Sequence, residues 1–424
     1  MKIVRWAALV AAGALLAACA PPSAAPQKDA GVDEKTGALR VWLFQEPNQP
    51  PKEKVVKEAV DEFTAAHKGV TVEITYIPTN NTRHEKFKGA FSDPASAPDV
   101  AEYGNTDVAD YVAAGGFADL TKDVTGGDIS KDLLGSATID GKLYGLPWYV
   151  GLRALYYRTD VFTELNIAPP TSYAELAAAA TRIRAAKPEL YGIAVGGEYT
   201  FGALPFVWDA GGDVAAKKDG KYTGAISSPE SRAGVKAYTD LFATCPAQAC
   251  AGLTGGKTAE LFATGKAGMA ILGNFNKGAV EAGAAKGKYA VVPLPGAKPG
   301  SVAPAFAGGN NLGVLKGTKK RSLAVEFTKL LGGQKYQTKM YEAMGNLPTS
   351  SAALADVAGK DAFLKPFLAT ASAGTRFVPL DPAWVKVDSQ KVIPTMLQKI
   401  VTGQASVDKA TEEANTAING AFGR

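Results

Sequence analysis

Beyond residue 37, short apolar runs alternate with stretches of helical periodicity. Residues 39–44 are an apolar run of strand length, and 70–77 alternate as a half-buried strand does. Between them, 52–67 predicts an amphipathic helix with Val56, Val60 and Phe63 on one face. A short strand over 98–103 precedes a helical stretch to 114. Further strands are predicted over 152–158, 191–195, 269–272, 289–292 and 311–315, and a helix over 319–331. Ser172 with Glu175 reads as a capping box ahead of an Ala-rich helix, and Ser228-Pro229 as a helix start with Pro at its first position. Strand alternating with helix over most of the chain predicts α/β architecture with largely parallel sheets. No repeat of 20–50 residues is visible.

Gly/Pro-rich punctuation at 145–151, 293–300 and 345–348 interrupts this alternation. If these are crossings between domains, both domains are discontinuous in sequence. A chain of 424 residues exceeds one typical core, which agrees with two domains or more.

The N-terminus breaks the pattern. Lys2 and Arg5 precede an apolar run over 6–16 and then Leu16-Ala17-Ala18-Cys19, the layout of an export signal. The run is shorter than the ~20 residues a membrane-spanning helix needs. The site ends on cysteine and resembles a bacterial lipobox, so residues 1–19 are expected to be a leader and Cys19 the lipid-bearing end of the mature chain. A plain secretion signal is the alternative. Residues 20–37, rich in Pro, Ala and Ser, read as a flexible tether. The expected location is outside the cell membrane, held there by the lipid alone.

Composition narrows the chemistry. Hydrophobic residues make up 46% and charged ones 21%, an ordinary globular balance, and the net charge of +5 is too scattered for nucleic acid. Of three cysteines, Cys245 and Cys250 remain after Cys19, and export makes a local disulfide the expected state. A zinc half-site is the alternative, without a second half, since His67 and His84 are the two histidines and lie far upstream. No Gly-x-Ser-x-Gly elbow or zinc-protease helix is present, and Gly252–Thr258 falls one residue short of a P-loop, reading instead as a glycine-rich turn into a helix. No cofactor or metal is expected. An enzyme of this composition would work through a carboxylate pair, as glycosidases do, and no motif marks one.

Three blocks carry a resemblance. The first runs through Gly141-Lys-Leu-Tyr-Gly-Leu-Pro147, Leu155-Tyr-Tyr-Arg-Thr-Asp-Val-Phe162 and Pro169-Pro-Thr-Ser-Tyr-Ala-Glu-Leu176, with Arg158 where Asn is usual and Tyr173 where Trp is usual. The second is Leu261-Phe-Ala-Thr-Gly-Lys-Ala-Gly-Met-Ala-Ile-Leu-Gly-Asn-Phe275, with Phe275 where Trp is common. The third is Val292-Pro-Leu-Pro-Gly296 with Gly308-Gly-Asn-Asn-Leu-Gly-Val314 and Gly345-Asn-Leu-Pro-Thr349. In this order, over about 39–349, the chain resembles the extracellular solute-binding proteins of carbohydrate-importing ABC transporters, the group that includes maltose-binding protein. The resemblance implies a two-lobed periplasmic-binding-protein-like fold of type II with a three-segment hinge. Lobe 1 would comprise 38–148 and 296–335, and lobe 2 would comprise 150–292 and 345–424. It also implies a monomer that delivers its ligand to a membrane permease, with no catalysis.

Sugar rings offer flat C–H patches to aromatic faces and hydroxyls to polar side chains, so candidate residues are polar or aromatic positions just beyond strands. These are Gln45, Glu46, Tyr103, Asn105, Asp107, Trp148, Tyr149, Asn274, Phe275 and the loop Gly308, Gly309, Asn310, Asn311. Arg153, Trp208, Arg376 and Trp384 join them. Each has an ordinary alternative: aromatic residues as core, Asn as a turn residue, Asp107 as a helix cap, Arg153 as a structural ion pair. Several aromatic candidates favour a di- or oligosaccharide, with a lean to a β-linked disaccharide. A glycerol-phosphate ligand is a second possibility, and a surface glycosidase a third.

Overall fold

The computed structural model describes residues 32–46, 48–79, 82–124, 128–246 and 249–423. The leader, Cys19 and most of the tether lie outside them.

A six-stranded sheet is built from β1 (Gly37–Phe44), β2 (Val70–Ile77), β3 (Val100–Gly104), β4 (Leu146–Gly151), a later strand Gly308–Val314 and the short Leu347–Pro348. A second sheet of three strands comprises β5 (Arg153–Arg158), β6 (Met269–Gly273) and β7 (Tyr289–Val292). With β8 (Gly308–Val314) and β9 (Leu347–Pro348) completing the numbering, the large sheet runs β9-β4-β8-β3-β1-β2 and the small one β6-β5-β7. Within these two sheets only β1–β2 and β1–β3 pair in parallel; β8 is antiparallel to β3 and to β4, β9 to β4, and both pairings of the small sheet are antiparallel. The expectation of largely parallel sheets is therefore corrected. The chain enters the first sheet three separate times: β8 returns from the other lobe, β9 follows the helix Gln334–Met344, and both run antiparallel to the strands they pair with. Residues 191–195, expected as a strand, make two isolated parallel bridges, Tyr191 to Ala267 and Ala194 to Ala270.

The local signals place the helices well. Gln49–Ala66 starts on Pro50 and Pro51, whose missing N–H groups cost nothing in a first turn, and buries Val55, Val56, Ala59 and Phe63. Phe63 meets Phe327 of the helix Arg321–Leu331 edge-on, ring centroids 5.2 Å apart. Ser172 accepts from the N–H of Glu175 at 3.2 Å. The Glu175 carboxylate, however, reaches back to the N–H of Thr171, one residue before the cap. Ser228 caps Pro229–Asp240, and Thr254 caps Gly255–Ala263, the glycine-rich turn into a helix. Cys245 and Cys250 are disulfide-bonded.

Buried apolar residues gather in two pairs of clusters, which makes two lobes. One pair draws on 39–148 and 312–340. The other draws on 150–307 and 347–418. Leu294, Ala303 and Phe306 belong to the second pair, and Tyr336 and Met340 to the first. The chain crosses between lobes where β4 gives way to β5, just before β8, and between the helix Gln334–Met344 and β9. Gly345 ends that helix with φ +74°, a left-handed position that glycine adopts without Cβ strain.

Candidate functional site

The hinge strands β4 and β8 pair from Gly151–Gly308 through Asn310–Tyr149, and the register then slips so that Asn311 faces Pro147. Such a bulge re-aims side chains. Here it accompanies a contact between Asn310 and Tyr149, with Asn310 Nδ2 donating to the Tyr149 hydroxyl at 2.7 Å.

Both groups converge on Glu102, a charged residue in the otherwise apolar β3. Its carboxylate accepts from the N–H of Phe44 (2.7 Å), Lys52 Nζ (3.0 Å), Asn310 Nδ2 (2.6 Å) and the Tyr149 hydroxyl. Lys52 spends its other two donors on the Phe44 carbonyl (2.8 Å) and Glu46 (3.2 Å) and stands 5.5 Å from the Trp148 ring. The side chains of Lys52 and Glu102 are both 0% exposed. A buried ion pair endures only when its remaining hydrogen-bonding capacity is met, as it is here. Glu46, at the edge of this network, keeps 24% of its side chain exposed. Burial first and the Glu102 charge next push its carboxyl above the ordinary range, against the pull of Lys52. Burial and the facing carboxylates raise the Tyr149 hydroxyl well above its usual value.

Across the hinge, β5 opens with Arg153. Its guanidinium carbon lies 5.5–5.8 Å from four ring centroids, those of Tyr199, Phe201, Phe275 and Phe306. Nε donates to the Tyr199 hydroxyl at 2.8 Å. Phe201 and Phe306 stack at 4.2 Å and 9°. Trp208 lies behind Phe306, its indole N–H donating to Asp213 at 3.0 Å. Phe275 is 42% exposed, an unusual state for so large an apolar ring, and sits over Gly151 and Gly273, where any Cβ would clash with it. Among the described residues no carboxylate pairs with Arg153, so the ion-pair alternative for it does not hold.

A third group lies at the rim. The Asp107 carboxylate meets Arg83 Nη2 at 3.0 Å and His84 Nε2 at 3.7 Å. Burial raises the Asp107 carboxyl against the pull of Arg83 and His84. Asp388, from the helix Trp384–Ser389 of the other lobe, lies within electrostatic reach of the same three groups. Partial desolvation, then the Asp107 charge, raises it, although its outer side stays exposed.

The candidates of the sequence thus divide. Glu46, Tyr149, Asn310, Arg153 and Phe275 come together on the two sides of the hinge strands, with Gly308 and Gly309 between them and exposed Gln45 beside Glu46. Arg376 is exposed next to Phe306, 3.9 Å from Asp213. Asp107 makes no helix-capping bond and pairs with Arg83 instead. Four aromatic candidates are core residues rather than cleft walls: Tyr103 and Trp148 are 0% exposed, Trp208 and Trp384 3%. The buried asparagines fasten the hinge. Asn105 donates to the Ala307 carbonyl (2.9 Å), while Asn274 accepts from the N–H of Leu152 (2.8 Å) and donates to the Gly345 carbonyl (2.6 Å). Asn311 is 1% exposed on β8.

Lys52, Glu102, Tyr199, Phe201 and Phe306 escaped the sequence reading. A lysine at the helical spacing of Val56 and Phe63, and a glutamate within an apolar strand, are charged residues on buried faces, and that was the available signal. Among the described residues no cluster of three or more His, Cys, Asp or Glu could hold a metal. A surface depression of about 530 Å³ lies away from the hinge, beside the disulfide, between Lys236, Asp240 and Ile400.

Residues 58–365 match the family of bacterial extracellular solute-binding proteins. The diacetylchitobiose binding protein DasA of Streptomyces coelicolor is 30% identical over 428 residues, spanning 97% of each chain. The galactooligosaccharide-binding protein of Bacillus subtilis is 27% identical over 96% of this chain and 93% of its own. Among solved structures, the GacH receptor of Streptomyces glaucescens aligns at TM-score 0.76 and 23% identity over 92% of this chain and 99% of that one. The cyclic alpha-maltosyl-1,6-maltose binding protein of Arthrobacter globiformis does so at TM-score 0.76 and 21% identity, over 91% and 99%. These likenesses establish the two-lobed fold, and the match over 58–365 together with the full-length relative establishes that the chain belongs to the bacterial extracellular solute-binding proteins.

Proposed function

We propose that this protein captures a di- or oligosaccharide between its lobes and delivers it to the permease of an ABC importer. One observation carries the reading. The same two hinge strands bear a dense polar network on one side and a half-open aromatic cage on the other. Sugars need both, a flat apolar face for their C–H patches and fixed polar partners for their hydroxyls. A ligand touching both lobes favours the closed form because it gains both sets of contacts only there. The full-length relative named for diacetylchitobiose supports a β-linked disaccharide as the first candidate. The lobes would be 38–148 with 308–344, and 150–307 with 345–424. Residues 1–19 serve as leader and Cys19 carries the lipid that holds a monomer at the outer face of the cell membrane. The protein binds without turnover.

Calorimetric titration of the chain lacking residues 1–19 with a disaccharide panel tests this. Saturable, stoichiometric binding of one sugar, recovered unaltered after long incubation, is the expected result. A cleaved sugar, or silence from a folded protein across the panel, would sink the reading. Tryptophan emission is the weaker probe, since Trp148, Trp208 and Trp384 are buried and report closure rather than contact.

A further inference from the structure

Among the described residues, Arg153 at the hinge has no carboxylate partner. A guanidinium stays protonated at any working pH and carries five donors in a rigid fork. Nε is used, and the Tyr199 hydroxyl that accepts from it donates onward to the Ile271 carbonyl at 3.2 Å, so the plane of the fork is set from the protein side. The terminal nitrogens have no hydrogen-bond partner among the described residues. Four rings surround the cation, and cation–π attraction offsets part of its desolvation. Rings cannot, however, accept in-plane N–H bonds, so this half-buried guanidinium keeps donors open toward the cleft. Lys52 across the hinge is the contrast, with three donors and three acceptors.

A carbonyl or carboxylate presents its lone pairs in the guanidinium plane and can take two of these donors at once, where a hydroxyl such as that of Tyr199 takes one. Such an acceptor must reach the fork alongside a flat apolar body, because the exposed face of Phe275 borders the same space. We propose that Arg153 selects the sugar by a planar oxygen-bearing substituent on its ring, which docks on the terminal nitrogens while the ring lies on Phe275. This rests on the sugar-binding reading above and names the substrate class. Two sources share the chemistry, an acetamido group of an amino sugar and the carboxylate of a uronic acid.

The test titrates the wild-type chain and the variants Arg153→Gln and Arg153→Lys with three β-1,4-linked disaccharides: N,N′-diacetylchitobiose, a diglucuronide and cellobiose. The expected result is that one substituted sugar binds at least about tenfold more tightly than cellobiose, which has hydroxyls at those positions. Arg153→Gln then brings the ratio toward one. A preference for diacetylchitobiose that is insensitive to salt and lost in both variants identifies the acetamido group. A preference for the diglucuronide that weakens with salt and survives partly in Arg153→Lys identifies the carboxylate. The lysine variant keeps the charge, and unchanged circular dichroism shows that either variant is folded. Cellobiose binding as tightly as both substituted sugars, or Arg153→Gln weakening all three by one factor, overturns the inference. If only sugars without such a substituent bind, this inference fails while the sugar reading stands. If no saccharide binds, both fail.

Discussion

The two sides of the hinge are built on opposite plans. On the β1–β3 side, Glu102 and Lys52 are buried and saturated, and every donor of the ammonium ends on protein oxygen. On the β5 side, a half-buried arginine keeps unfilled donors and a phenylalanine keeps an exposed face. The first plan fixes geometry, because a satisfied low-dielectric network resists rearrangement. The second leaves interaction capacity for something that arrives. A binding cleft requires both, since a site entirely of the second kind would collapse on itself and one of the first kind would hold nothing.

The largest expected effect falls on the saturated side. Glu102→Leu removes the fully buried one of the two carboxylates that answer Lys52, leaving half-buried Glu46, and should cost about 3 kcal/mol in urea unfolding, whereas Glu102→Leu with Lys52→Met should recover much of it. If the single variant loses under 1 kcal/mol, the network is not the fixed half described here. On the open side, Phe275→Ala should leave the unfolding midpoint nearly unchanged while weakening ligand binding roughly tenfold or more by calorimetry, because an aromatic face worth about 1.5–3 kcal/mol on burial is gone. An equal loss of stability would make Phe275 a core residue after all.

Smaller effects probe the border between the two plans. Glu46 binds its proton more tightly in the folded chain than in the unfolded one, because burial raises its carboxyl. Its contribution to stability therefore grows as pH falls through the raised value and is complete below the ordinary carboxylate pKa. Glu46→Gln should raise the melting temperature at pH 7 and flatten that part of the pH profile; a lower melting temperature at pH 7 would contradict the burial argument. Asp388→Asn should have the least effect. Desolvation first and the Asp107 charge of the other lobe next raise its carboxyl, against Arg83 and His84; a closing that brings the two carboxylates together takes up a proton, so wild-type affinity should rise gently on acidification. Affinity of the variant should lie within about threefold of wild type at pH 7 and lack that rise. A variant with the same pH profile as wild type would remove Asp388 from the lobe contact.

Much of this frame was legible in the chain. The run over 70–77 and the Ser228 cap were read from period and capping chemistry alone, because those signals are local. Strand direction was not, because it depends on which lobe the chain has just left. The hinge residues Tyr149, Arg153, Phe275 and Asn310 stood out as polar or aromatic positions beside glycine. Trp208 and Trp384 stood out as lone aromatics in polar surroundings and are core packing, since a lone aromatic in sequence says nothing about which neighbours will cover it. Phe201 was hidden in an apolar helix, Thr200–Asp209, whose other members are nearly all buried. Only the fold shows that its ring turns to Arg153.

Asn274 gives the hinge a mechanical character. One side chain holds the N–H of Leu152 and the carbonyl of Gly345, which belong to two different crossings between the lobes. A door on independent pins can sag in several directions; pins tied to each other leave one axis. Both bonds lie at the second-lobe ends of their crossings, so the two connections leave that lobe at a fixed spacing and swing together. The shape shown to a permease is then the same for every sugar that lets the door shut.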